Sequence, residues 1–151
     1  MQELNPIPTP SDFLMDQWRK LNDDHFGGRL QEPPEVDWVE GISAFGQFGR
    51  VFGAIGINAQ FRDVEESVRA AKVSKRMPTD EECARLVFVL GILLHEMVHQ
   101  ALHSDGSRSG AHADEFVAMA NSIDQVAELK WPVCTADNAA RWPFPEQVEL
   151  D

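Results

Sequence analysis

Apolar residues return at three- and four-residue intervals through most of the chain and interleave with glycine in one stretch. Phe13, Leu14, Trp18 and Leu21 share one face of a helix that Ser11 can cap, running to about His25 and ended by Phe26-Gly27-Gly28. Pro33-Pro34 bars further helix, and Val36-Asp37-Trp38-Val39 reads as a short strand. Through 41–57, Ile42, Phe45, Phe48, Val51, Phe52, Ile55 and Ile57 alternate with Gly41, Gly46, Gly49, Gly53 and Gly56. That pattern predicts a hairpin or meander ending near Phe61, with turns, bulges or close backbone approach at the glycines. Residues 62–73 read as a short helix and Lys75 to Pro78 as a loop.

The strongest helical signal follows. Thr79-Asp80-Glu81-Glu82 has the form of a capping box, with Thr79 as N-cap and Glu82 three residues on. Cys83, Leu86, Val87, Leu90, Leu94, Met97, Val98 and Ala101 then recur at helical spacing and are expected inward, to a helix end near His103. Residues 104–110 are small and polar and read as a loop. A last helix is expected from about Ala111 to Leu129, with Phe116, Met119, Ala120, Ile123 and Ala127 inward. The order of elements predicts one α+β domain: an N-terminal helix, a small antiparallel sheet, and two helices that together build a site. Its expected bounds are 11–130, after an extended proline-containing leader at 1–10 and before an irregular tail at 131–151. In that tail Trp131, Trp142 and Phe144 stand beside prolines and are expected to pack on the core.

A length of 151 residues agrees with one domain. The two cysteines, Cys83 and Cys134, lie in no CxxC pair, which excludes a zinc ribbon and a disulfide scaffold. The net charge of −12 argues against a broad nucleic-acid-binding surface. One small basic cluster, Arg69, Lys72, Lys75 and Arg76 with only Glu66 nearby, is read as a solvated helix face. The first ten residues have neither a basic nor an apolar segment of a signal peptide. The longest apolar run, Leu86 to Leu94, is about half of what a membrane helix needs. These features give the expectation of a soluble, cytoplasmic protein with reduced thiols and no membrane partner.

The candidate chemistry lies inside the strongest helix, where residues 95–99 read His-Glu-Met-Val-His. Residues four apart on a helix differ by about 40° in azimuth and one turn in height, so His95 and His99 can point two imidazoles at one metal ion. Glu96 stands beside them, where its carboxylate can take a proton from water. Burying two histidines and a glutamate among leucines and valines without a ligand would cost several kcal/mol. Catalytic zinc commonly takes three protein ligands and keeps one open position. For the third, His103 projects from the same helix but one turn further from the ion, and His25 lies far upstream beside a glycine turn. His112 opens the next helix, which can fold back over the site, and Asp105 and Glu115 are further candidates. The chain has no tyrosine, so a tyrosine oxyanion donor is impossible; His103 and Arg108 could serve but are read as ordinary surface groups.

At this point the chain resembles the SprT-like (Spartan-type) metalloproteases, over about residues 13–125. Leu21-Asn22-Asp23-Asp24-His25-Phe26-Gly27-Gly28-Arg29-Leu30 is similar to the family's early helix end, and Val36 and Trp38 to its following strand. Leu93-Leu94-His95-Glu96-Met97-Val98-His99-Gln100 is similar to its metal-binding helix. His112-Ala113-Asp114-Glu115-Phe116, with twelve residues between His99 and His112, resembles its third-ligand motif, Ala113 standing where the family has glycine. The resemblance implies a zincin-like fold, one Zn²⁺ per chain held by His95, His99 and His112, and Glu96 as general base. It implies protein or peptide substrates, DNA-associated proteins among them. The alternative is a zinc-stabilised binding module with the same fold and no catalysis. The glycine-rich strands at 41–57, just upstream of the metal helix, are read as an edge that an extended substrate could pair with.

Overall fold

The computed structural model describes residues 12–49, 53–104 and 118–119. The expected leader at 1–10, the tail at 131–151 and nearly all of the 111–129 helix lie outside them; Ala118 and Met119 are helical.

Helix α1, Asp12–Phe26, buries Leu14, Trp18, Leu21, Asn22 and Phe26 on the face that the apolar spacing predicts. It stops because Gly27 and Gly28 enter the left-handed region, at φ of 62° and 74°, where a side chain would be strained. The Gly28 N–H then donates to the Asn22 carbonyl at 2.9 Å. The buried Asn22 side chain closes the turn from within. Its Nδ2 donates to the Leu30 carbonyl at 3.2 Å and its Oδ1 accepts from the Leu30 N–H at 3.1 Å.

Strands β1 (Val36–Val39), β2 (Gly46–Phe48) and β3 (Ile55–Asn58) form one sheet in the order β1-β3-β2. β2 runs antiparallel to β3, pairing Gly46 with Ile57 and Phe48 with Ile55. β1 runs parallel to β3, pairing Val36 with Ile55. The sheet is therefore mixed, not antiparallel as the sequence reading has it. The reason lies in the connection after β1, which crosses to the far side of β3 before β2 begins, so β3 sits in the middle. All four β3 residues are buried, and Gly56 has no room for more: a Cβ there would come within 2.5 Å of Val39 Cγ2.

Asn58 ends β3 and organises the approach to it. Its Oδ1 accepts from the Gln60 N–H at 3.0 Å, capping a short 3-10 turn, Ala59–Phe61. Its Nδ2 donates to the carbonyls of Ile42 and Ala44 at 3.1 and 2.9 Å. Helix α2, Asp63–Ser74, follows and ends at Lys75, itself left-handed at φ 53°. Arg69 and Arg76 each find an acid, Glu65 and Glu82, both at 2.8 Å. The small basic cluster is thus partly compensated: Arg69 by Glu65 one turn back on α2, and Arg76, in the loop after α2, by Glu82 of α3.

Helix α3, Asp80–Ser104, is the spine of the domain. Its capping box forms as read: the Glu82 N–H donates to Thr79 Oγ1 at 3.1 Å, and the Thr79 N–H donates to Glu82 Oε1 at 2.9 Å. Bonded to Arg76 first and to Thr79 second, the Glu82 carboxyl is pulled down to about 2 from an ordinary 4.5. The buried stripe differs from the sequence reading in the first half of the helix. Cys83 is exposed and Leu86, Val87 and Leu90 are only partly covered, while Ala84, Phe88, Val89, Gly91 and Ile92 are buried. From Leu86 to Leu94 the helix is apolar on every side, so periodicity alone could not choose the inner face. Packing chooses it. Phe88 meets Phe45 and Phe61 edge-on, with ring centroids 5.6 and 5.3 Å apart, in an aromatic cluster between the sheet and α3. α3 is long and apolar enough to cross a membrane by composition, yet 67% of its most apolar window is buried within the domain.

Candidate metal centre

From Gly91 to Val98 every residue of α3 is buried, so the helix centre is enclosed and whatever polar groups it carries lie within the fold. His95 is 1% exposed and Glu96 is fully buried, while His99, one turn on, is partly open. The i, i+4 spacing does what helical geometry requires. The two imidazole rings stand 4.9 Å apart between centroids, at 76° to each other. His95 Nε2 lies 3.9 Å from Glu96 Oε2. One ligand atom from each of His95, Glu96 and His99 can be chosen so that all lie within 4.8 Å of one another, a group able to hold a metal ion. Among the described residues this is the one such group.

The rotation of α3 that turns these groups to one side is fixed by the residue that follows His99. Gln100 is buried, and its amide is spent on two distant partners. Trp18 Nε1 of α1 donates to Gln100 Oε1 at 3.0 Å, and Gln100 Nε2 donates to the Gln31 carbonyl at 2.7 Å. Helix α3 is thereby tied to α1 and to the segment ahead of β1.

On the sheet side, β2 lies against α3. A Cβ on Gly46 would stand 2.9 Å from Ile92 Cγ2, 3.0 Å from Glu96 Oε2 and 3.1 Å from the Gly56 carbonyl. Glycine at this position is what lets the strand approach the helix and lets the Glu96 carboxylate lie against its backbone. β2 is also an edge of the sheet, so a strand borders the histidine-glutamate group with one side unpaired by β3. The edge anticipated across 41–57 narrows to β2, because β3 has strands on both sides.

Of the candidates for a third ligand, His103 is exposed on the last turn of α3. Its ring meets Phe48 of β2 edge-on at 5.7 Å. His25 sits in the last turn of α1 and is not part of the metal-capable group. His112, Asp105, Glu115 and Arg108 lie outside the described residues. Sequence reasoning did not single out Gly46, Phe48 or Gln100. Gly46 carried a signal, as a glycine in an apolar strand ahead of α3; Gln100 carried none, because a polar residue after HExxH has no pattern of its own.

No family model, curated protein or solved structure matches the chain.

Proposed function

We propose that the chain is a zinc metalloendopeptidase of the SprT-like kind, with a zincin-like fold, acting on extended protein segments. The observation that carries this reading is the buried His95-Glu96-His99 group on α3, flanked by the edge strand β2. The donor set fits zinc: imidazole suits that ion, and a fully buried carboxylate beside the two histidines suits a proton carrier. His95 and His99 would hold the ion, and His112 would complete the set. Zinc, when bound, supplies Lewis acidity, lowering the pKa of water toward about 7 and polarising the scissile carbonyl.

The chain's own residues supply the rest. Glu96 takes the proton of the attacking water on its carboxylate and hands it to the departing amine nitrogen. Gly46 keeps that carboxylate beside the strand. β2 offers main-chain N–H and C=O groups to an extended peptide, which aligns the scissile bond with Glu96 by backbone pairing and needs no particular side chain. A structural zinc site has no use for a carboxylate beside an open position, which separates this reading from a binding module without catalysis.

The test is cleavage of an unfolded protein by zinc-loaded chain and by Glu96→Gln. The expected result is equal zinc content and a loss of turnover of at least 10²-fold, the scale of a lost general base. Equal turnover in the two proteins would remove Glu96 from the chemistry and the peptidase with it. Adding single-stranded DNA to the same assay tests whether substrates bound to DNA are favoured.

A further inference from the structure

β2 continues past Glu96 toward the last turn of α3. Phe48 stands two residues after Gly46, so the two positions point to the same side of β2, about 7 Å apart along the strand. Gly46 faces Glu96 and Ile92; Phe48 faces His103, one turn beyond His99. Next to this pair lies a cavity of about 200 Å³ lined by Phe48, His103, Pro33, Pro34, Gly53 and Glu32, with the polar Gln31, Gln100 and Ser104 completing its wall. It is small for a cofactor or a drug-sized molecule, whose sites start at about 300 Å³. A cavity of about 150 Å³ already accepts benzene, so this one has room for a single ring.

The walls say which kind of side chain belongs there. Phe48 and His103 already meet edge-on at 63°, and a third ring can join such an array at the 4.5–7 Å spacing aromatic pairs prefer. Pro33 and Pro34 add flat apolar surface, and Gly53, at φ 76°, adds no side chain to fill the space. Glu32 is the one carboxylate of the wall, and it is already engaged: Arg19 donates to both of its oxygens, at 2.9 and 3.1 Å. That pairing holds its carboxyl below the usual carboxylate range. A substrate lysine or arginine would find this charge compensated, whereas a tyrosine hydroxyl or indole N–H could still donate to the rim.

The geometry points to a specificity subsite here, in which Phe48 and His103 receive an aromatic side chain of the substrate within about two residues of the bond facing Glu96. The inference rests on the peptidase reading and names part of its substrate. Both are tested with the zinc-loaded full chain on a library of unfolded peptides, reading every cleavage site by mass spectrometry. Aromatic residues are expected at one fixed position near the cut, enriched about tenfold over alanine. Phe48→Ala and His103→Ala should each abolish that enrichment while still cutting alanine-containing peptides. His103→Ala, on an exposed turn, serves if Phe48→Ala does not fold. Cleavage without aromatic preference, or a preference unchanged in both variants, overturns the subsite.

A second reading does not depend on cleavage. N-acetyl-tyrosinamide titrated into zinc-loaded Glu96→Gln should shift the NMR signals of Phe48 and His103 at millimolar concentration, and N-acetyl-alaninamide should not. Shifts without cleavage by the wild type would keep the subsite and refute the peptidase. No shifts, together with no aromatic preference, would refute the subsite.

Discussion

Replacing Gly46 by alanine tests the close approach of β2 to α3. The added methyl would stand 2.9 Å from Ile92 Cγ2, 3.0 Å from Glu96 Oε2 and 3.1 Å from the Gly56 carbonyl. Comfortable contact between carbons needs about 3.5–4.0 Å, so each neighbour must yield by several tenths of an ångström. None yields easily. Ile92 is 1% exposed and Glu96 not at all, and the Gly56 carbonyl belongs to the central strand. Backbone strain adds nothing, since Gly46 is not among the glycines at positive φ. Overpacking of this kind costs about 1–3 kcal/mol. For a chain of 151 residues that is a fall in Tm of very roughly 2–12 °C. Activity should suffer more than stability. The methyl pushes on the carboxylate assigned to proton transfer, and a displacement of about 1 Å at a reacting group costs about 10²-fold in rate. The assay is thermal unfolding and peptide turnover of zinc-loaded Gly46→Ala beside wild type. A variant as stable and as active as wild type would show that β2 does not approach α3 as described.

Other consequences are independent of catalysis. Asn22→Ala leaves the buried Leu30 N–H and carbonyl without their clamp and should cost about 1–3 kcal/mol in denaturant unfolding; a change below a few tenths would refute the role given to Asn22. Gln100→Leu removes the tie to Trp18 and Gln31 and should lower both stability and zinc affinity, read by competition with a chelator, whereas unchanged zinc affinity would free the metal helix from that tie. The Glu82 carboxyl sits at about 2 in the fold against 4.5 ordinarily, so its contribution is complete above about pH 4.5 and disappears as pH falls from there toward 2. Glu82→Gln should therefore flatten the fall of Tm over that window; an identical pH profile would deny the Arg76 and Thr79 bonds their effect.

How far the sequence foretells this molecule depends on the range of the interaction involved. α1, the capping box of α3 and the placement of His95, Glu96 and His99 on one side of a helix were all legible, because each is decided within a few residues. The parallel pairing of β1 with β3 was not. Strand order is set by which neighbour best covers an already buried β3, and nothing within Val36–Val39 records that choice. The inner face of α3 between Leu86 and Leu94 was hidden for the opposite reason: the stretch is so apolar that several faces fit, and Phe45 and Phe61 decide among them. Likewise the basic cluster showed only Glu66 nearby in sequence, whereas Arg69 meets Glu65 one turn away on α2 and Arg76 meets Glu82 across the loop into α3. The His95-Glu96-His99 group, able to hold a metal ion, was local and therefore visible. Of its partners across space, Gly46 of β2 showed only as one glycine among several in an apolar stretch, and Gln100 reaching to α1 showed not at all.

The central claim is a zinc ion held by three histidines, and zinc content measures it most directly. Wild type, His99→Ala and His112→Ala should be purified alike and their metal counted by mass spectrometry, with circular dichroism confirming a common fold. About one zinc per chain in wild type, and much less in both variants, is the predicted result. No zinc in wild type, or the same zinc in all three proteins, would contradict it.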